Sequence, residues 1–257
     1  LAPDNYLVVA ADLAALRAAY GTIPALGNFE GRPANNGELI RLVDTTGNLV
    51  DEVDYLPGGN WPRLANGDGT SMELRNPWMD NSLASGWVDS NETNKTAFVR
   101  YSYTAPFQQL RTYGGLTDYK ELHLHLVGDS HVVLRDIQLR LNAAGANLLV
   151  NSTQMSADSA SASGWLAQGT HFATHFEGAD LHLIADGHGD NRPNRVELDA
   201  TAMVQGSAYE VSFDARWVAG ASRLIVQTWD HSIATTFSLP VPKNLGTPGF
   251  RNSRYIP

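Results

Sequence analysis

The feature that most restricts this chain is a two-residue alternation of apolar and polar side chains that recurs through its second half. In Glu121–Val127, Leu122, Leu124 and Leu126 point one way while Glu121, His123 and His125 point the other. Val211, Phe213, Ala215 and Trp217 alternate with Ser212, Asp214 and Arg216 in the same manner. Successive side chains of a strand leave opposite faces, so this period fits a half-buried strand and cannot lay one apolar stripe along a helix. Further apolar-rich runs at 98–104, 132–141, 179–184, 195–198, 222–229 and 235–239 are separated by Gly- and Asp-rich turns. Strands of this kind, with one face for a core and one for water, predict a two-sheet sandwich. One segment, 13–20, reads as helix: Asp12 is a suitable N-cap, Leu13, Leu16 and Tyr20 share a face, and Gly21 stands where a left-handed residue ends a helix.

A length of 257 residues accommodates two domains, and the sequence changes character after Pro77. Before it, apolar-rich runs at 37–43 and 49–55 flank Asp44-Thr45-Thr46-Gly47-Asn48, a turn composition that predicts a hairpin. The balance of 18 Lys+Arg against 27 Asp+Glu, a net charge of -9 with no basic run, argues against a nucleic-acid or anionic-membrane partner. No apolar stretch approaches the ~18–20 residues of a membrane-spanning helix, so no membrane insertion is expected. The absence of cysteine removes disulfides, thiolate metal sites and thiol nucleophiles together. The turn-rich, lysine-poor composition leans towards an exported protein. A chain that opens on Leu1 without a visible export signal is expected to be a piece of something longer.

The run Asn28-Phe29-Glu30-Gly31, Asn36-Gly37-Glu38-Leu39-Ile40-Arg41-Leu42-Val43-Asp44, Gly47-Asn48-Leu49-Val50-Asp51-Glu52-Val53-Asp54-Tyr55, Trp61-Pro62 and Gly67-Asp68-Gly69-Thr70-Ser71-Met72-Glu73-Leu74 resembles the lamin-tail domain. Gly246-Thr247-Pro248-Gly249-Phe250-Arg251-Asn252 is similar to the closing motif of that family. The resemblance implies an immunoglobulin-like sandwich of the kind found in bacterial surface and secreted proteins. It places the family's opening strands upstream of Leu1. It also separates the closing motif from Leu74 far more widely than is usual, which implies an inserted domain. The later part of that insert, with Asn147-Leu148, Ser163-Gly164-Trp165, Ala179-Asp180-Leu181-His182-Leu183, Val196-Glu197-Leu198 and 209–217, is similar to jelly-roll carbohydrate-binding modules. The expected architecture is therefore all-β with two sandwiches. A lamin-tail-like, N-terminally incomplete immunoglobulin domain covers 1–94 and 244–257, and a jelly roll covers 95–243.

Asp186, Asp190 and Asn191, interleaved with glycines, offer hard oxygen donors that suit Ca²⁺; the competing reading is a polar turn. Sugar recognition calls for exposed rings beside polar groups, and Trp165, Phe172, Phe176, Trp229, His231 and Arg192, with Gln227 and Asp230 near in sequence, are the candidates. For any one of these rings core packing is the favoured reading. His123 with His125, and His171 with His175 if extended, have spacings that suit Zn²⁺ or Cu²⁺ or a cross-strand hydrogen bond. No nucleophile elbow or phosphate-binding glycine loop occurs, and Glu177, Glu197 and Glu210 are the nominees for a glycosidase pair. The expected function is a non-catalytic extracellular module of a bacterial surface protein, acting in adhesion or glycan binding. The alternatives are a self-assembling subunit of a filament or surface layer, completed by strand exchange at an unpaired sheet edge, and a glycan-active enzyme fragment.

Overall fold

Extended chain dominates the computed structural model, which describes residues 6–66, 69–93, 95–108, 120–186, 188–229 and 231–241. The chain divides into two units: Leu1–Asn66 with Met72–Val88, and Gly67–Ser71 with Asp89–Pro257. The expected closing motif at 246–252 lies outside the described residues. No helix among the described residues is long and apolar enough to cross a membrane.

In the first unit, β1 (Val8–Ala10) and β2 (Ala25–Gly27) pair in parallel across helix α1 (Leu13–Tyr20). Asp12 caps the helix, its Oδ1 accepting the Ala15 N–H at 2.8 Å. Gly21 ends it at φ 73°, ψ -152°, a glycine-only region rather than the left-handed helical one that the sequence suggests. The expected hairpin is present. Strand β3 (Glu38–Val43) pairs antiparallel with β4 (Leu49–Tyr55), with a bulge between Leu42 and Val43. Its loop is built by Asp44, whose carboxylate accepts from the N–H groups of Thr46 and Asn48 and from both their side chains. These bonds hold the Asp44 carboxyl well below the usual carboxylate range. Strands β5 (Met72–Leu74) and β6 (Trp87–Asp89) form a third two-stranded sheet.

Among the described residues the second unit holds ten strands: β7 (Val99–Pro106), β8 (Glu121–Leu126), β9 (Ser130–Leu141), β10 (Leu166–Gln168), β11 (His175–Glu177), β12 (Asp180–Ala185), β13 (Arg195–Asp199), β14 (Ala208–Gly220), β15 (Arg223–Thr228) and β16 (Ala234–Ser238). They form two five-stranded antiparallel sheets, ordered β10-β13-β8-β15-β16 and β11-β12-β9-β14-β7. The apolar phase of each long strand meets that of the other sheet. Leu122, Leu124, Val196, Leu198, Leu224 and Val226 from the first sheet share one core with Leu134, Leu139, Leu181, Leu183, Phe213 and Trp217 from the second. The all-β sandwich expected from the two-residue period is thus what the chain forms. The three-residue strands β2, β6, β10 and β11 were not foreseen, since a period of two is hardly expressed over three residues.

The core reading gives a contrast that denaturant unfolding measures. Phe213 is fully buried and Phe172 is 64% exposed. Phe213→Ala is expected to cost about 3–5 kcal/mol of stability, and Phe172→Ala to stay within about 0.5 kcal/mol.

Candidate ligand-binding face

The outward face of the β10-β13-β8-β15-β16 sheet departs from the wet surface that alternation predicts. Register places Glu197, His123 and Gln227 side by side on β13, β8 and β15. His123 is only 2% exposed and Glu197 only 6%, although both stand on the polar phase of their strands. Polar groups at that burial must find partners, and they do. His123 Nε2 donates to Glu121 Oε2 at 2.9 Å and stands 3.8 Å from Glu197 Oε2. Arg195 Nε donates to Glu197 Oε2. One step along β8, His125 Nδ1 donates to the Asn194 carbonyl at 3.0 Å. That leaves Nε2 to accept from the Gln227 amide at 3.1 Å. The same amide nitrogen lies 3.5 Å from His231 Nε2. Burial pushes His125 down to about 4, so this ring is neutral at pH 7.

The strip therefore contains His231 and Gln227, with Trp229 half-buried in the same turn, its N–H donating to the Glu121 carbonyl. The other sugar candidates lie elsewhere. Trp165 is fully buried with its indole N–H on the Ser152 carbonyl, so neither ring face is open to a sugar. Phe176 packs on the core and lines a pocket of about 110 Å³ with Asn147 and Thr153. Phe172 is exposed on the turn before β11. Arg192 is tied to Asp190, Nε to Oδ2 at 2.6 Å. Asp230 lies outside the described residues.

The segment read as a Ca²⁺ loop has another use. Asp190 Oδ1 accepts the N–H groups of Gly169 and Arg192, Asp186 Oδ1 accepts that of His188, and Asn194 Oδ1 accepts that of Thr170. These bonds clasp the 169–172 turn against 186–195. Asp186 and Asp190 thus each spend a carboxylate oxygen on backbone N–H groups, as the polar-turn reading expects. The clasp also explains two glycines: a Cβ on Gly189 would stand 1.8 Å from the Gly169 carbonyl oxygen, and one on Gly169 would stand 2.3 Å from Asn194 Oδ1.

The pair His171 and His175 is not extended, because Thr174 N–H closes a turn onto the His171 carbonyl. His171 is buried and its Nε2 accepts the Leu126 N–H at 2.9 Å. His175 instead stacks on His182 of the other sheet's outer face. There His131 Nε2 meets His182 Nδ1 at 3.0 Å, and His182 Nε2 meets Glu177 Oε2 at 3.3 Å. The glycosidase nominees are split, Glu197 in one sheet and Glu177 and Glu210 in the other. What the sequence did not signal is the convergence of Glu121 with Glu197 about His123, which needs the β8–β13 register. In the first unit, Ile40, Val53, Tyr55, Pro57, Met72 and Trp87 are among the residues that line an apolar groove of about 390 Å³.

Comparison of the chain with protein-family models, curated proteins and solved structures finds no match to any of them.

Burial of histidine has a consequence for acid stability. It pushes His131 and His171 to about 4, against 6.5 in an open chain. As pH falls below about 6.5, the unfolded chain takes up protons before the folded chain does, so stability drops down to about pH 4 and then levels off. Thermal melts from pH 7.5 to 3.5 are expected to show this loss, about 3 kcal/mol per histidine. His131→Gln and His171→Gln are each expected to flatten the profile.

Proposed function

We propose that the chain is a non-catalytic, extracellular module of a bacterial surface protein whose second unit binds glycan. On this reading the second unit is a jelly roll of the carbohydrate-binding kind and the first a lamin-tail-like domain. The observation that carries the proposal is the cross-strand row Glu197, His123 and Gln227, extended by Glu121, His125, Arg195 and His231. The members of this row that reach solvent, Glu121, His125, Arg195, Gln227 and His231, offer donors and acceptors on one sheet face, with the buried His123 and Glu197 holding them in place, and they match the closely spaced hydroxyls of a polysaccharide. Strand positions hold such groups more rigidly than loops do, which lowers the ordering cost of binding. Trp229, at the end of the row, supplies an apolar surface beside the polar groups.

The test is retention on an array of bacterial and host polysaccharides. At least one glycan class is expected to bind, and Gln227→Ala is expected to weaken it tenfold or more with the fold intact. A protein that binds none of them, or binds equally well after the substitution, overturns the reading.

A second reading, strand-exchange assembly, is favoured by the hairpin of the first unit. Leu42 is 61% exposed and Val50 60%, and no third strand pairs with β3 or β4 among the described residues. A two-stranded ribbon with free edges and apolar side chains is a template for a further strand. Light scattering is expected to show association that rises with concentration and is abolished by Leu42→Lys with Val50→Lys. A monomer at every concentration removes this reading.

A further inference from the structure

We propose that Glu121, His123 and Glu197 bind a single divalent first-row metal ion, with Zn²⁺ the best match. Each offers one donor atom, and these atoms all lie within 4.8 Å of one another. Two ligands of tetrahedral zinc at about 2.0–2.1 Å stand about 3.4 Å apart. The His123 Nε2 distances of 2.9 Å to Glu121 Oε2 and 3.8 Å to Glu197 Oε2 bracket that value. Shifts of about half an ångström at His123, and of up to about 1.4 Å between the two carboxylate oxygens, would seat the ion where the His123 proton now bridges to Glu121.

Burial and charge favour the exchange. His123 and Glu197 are almost fully out of water, and a buried carboxylate is costly unless its charge is met. Arg195 meets Glu197. The two carboxylates outnumber the one guanidinium, and a divalent ion would offset that excess of negative charge. Arg195 also fixes the orientation of the Glu197 carboxylate, as the outer partners of metal ligands do. One imidazole nitrogen and two carboxylate oxygens form a mixed donor set that suits Zn²⁺ or Mn²⁺. Ca²⁺ seeks six to eight oxygens at longer range.

The inference does not rest on the glycan reading, because the metal alone is the probe. Isothermal titration of the untagged chain with ZnCl₂, without glycan, is expected to show one site of micromolar affinity or better, with CaCl₂ at least tenfold weaker. His123→Asn and Glu121→Gln are each expected to weaken zinc binding tenfold or more, while His182→Gln, in the other histidine group, leaves it unchanged. Should His123→Asn lose its fold by circular dichroism, Glu121→Gln decides, since that residue sits half-buried at the end of β8. Absence of zinc binding, unchanged affinity in Glu121→Gln, or a loss confined to His182→Gln overturns the proposal.

Discussion

The second unit depends on one contact between its two sheets, the packing of Phe213 across the core. Phe213 stacks on Tyr101 of the neighbouring strand at 5.8 Å and meets Phe237 of the opposite sheet edge-on at 5.0 Å. Tyr101 and Phe237 in turn meet at 5.4 Å. Three rings in offset and edge-to-face contact join the paired strands β7 and β14, where Tyr101 stands opposite Phe213, to β16 of the other sheet, and such contacts add to the area they bury. Strand β14 presents Phe213 because Val211, Phe213, Ala215 and Trp217 keep one phase, although bulges interrupt its pairing with β9 between Ser212 and Asp214 and between Trp217 and Ala219. At the second bulge the alternation stops, and Trp217, Val218 and Ala219 are all buried. The Trp217 indole N–H is satisfied there by the Gly220 carbonyl at 2.9 Å.

A core closed in this way fixes the inner faces of the sheets and, through register, their outer faces too. Because Leu122, Leu124 and Leu126 are committed inward, His123 must stand outward between Glu197 and Gln227, and His125 outward opposite Ile225. A slip of one residue would send the leucines to solvent and imidazoles into the core, so the polar row is as strictly determined as the apolar one. The candidate ligand face is therefore a product of core packing rather than an addition to it.

This logic marks what the sequence could reveal. The long strands β8, β9, β12, β13, β14 and β15 were legible because each carries at least two turns of the two-residue period, and Trp217 was legible as core from its phase. Trp165 was not, because it lies just before β10, a strand of three residues, and only the tertiary fold shows its ring enclosed. Glycine and aspartate at 186–190 signalled a special turn correctly. Whether such a turn serves a cation or a neighbouring backbone depends on the partner that approaches, and the 169–172 turn comes from a distant stretch of chain. The short pairs of the first unit were partly legible. The β3–β4 loop carries its own chemistry in Asp44, whereas β5 and β6 depend on partners that no local pattern names.

The two groups of outward histidines show how environment, not residue type, sets what an imidazole does. His131 and His182 face each other, and burial with the mutual proximity of His182, His175 and Arg216 holds them neutral. The observed contacts then admit one tautomer chain, His131 Nε2–H to His182 Nδ1 and His182 Nε2–H to Glu177, because the carboxylate can only accept. A cation arriving there would meet Glu177 on an exposed side chain, the charge of Asp180 and the opposing charge of Arg216. His123 meets the reverse, with one carboxylate hydrogen-bonded to Nε2, a second 3.8 Å away, and a guanidinium bound to only one of them. The same ring that passes a hydrogen bond along one sheet is thus, on the other, the centre of a negative cluster, and it is there that a metal ion has the stronger electrostatic reason to bind.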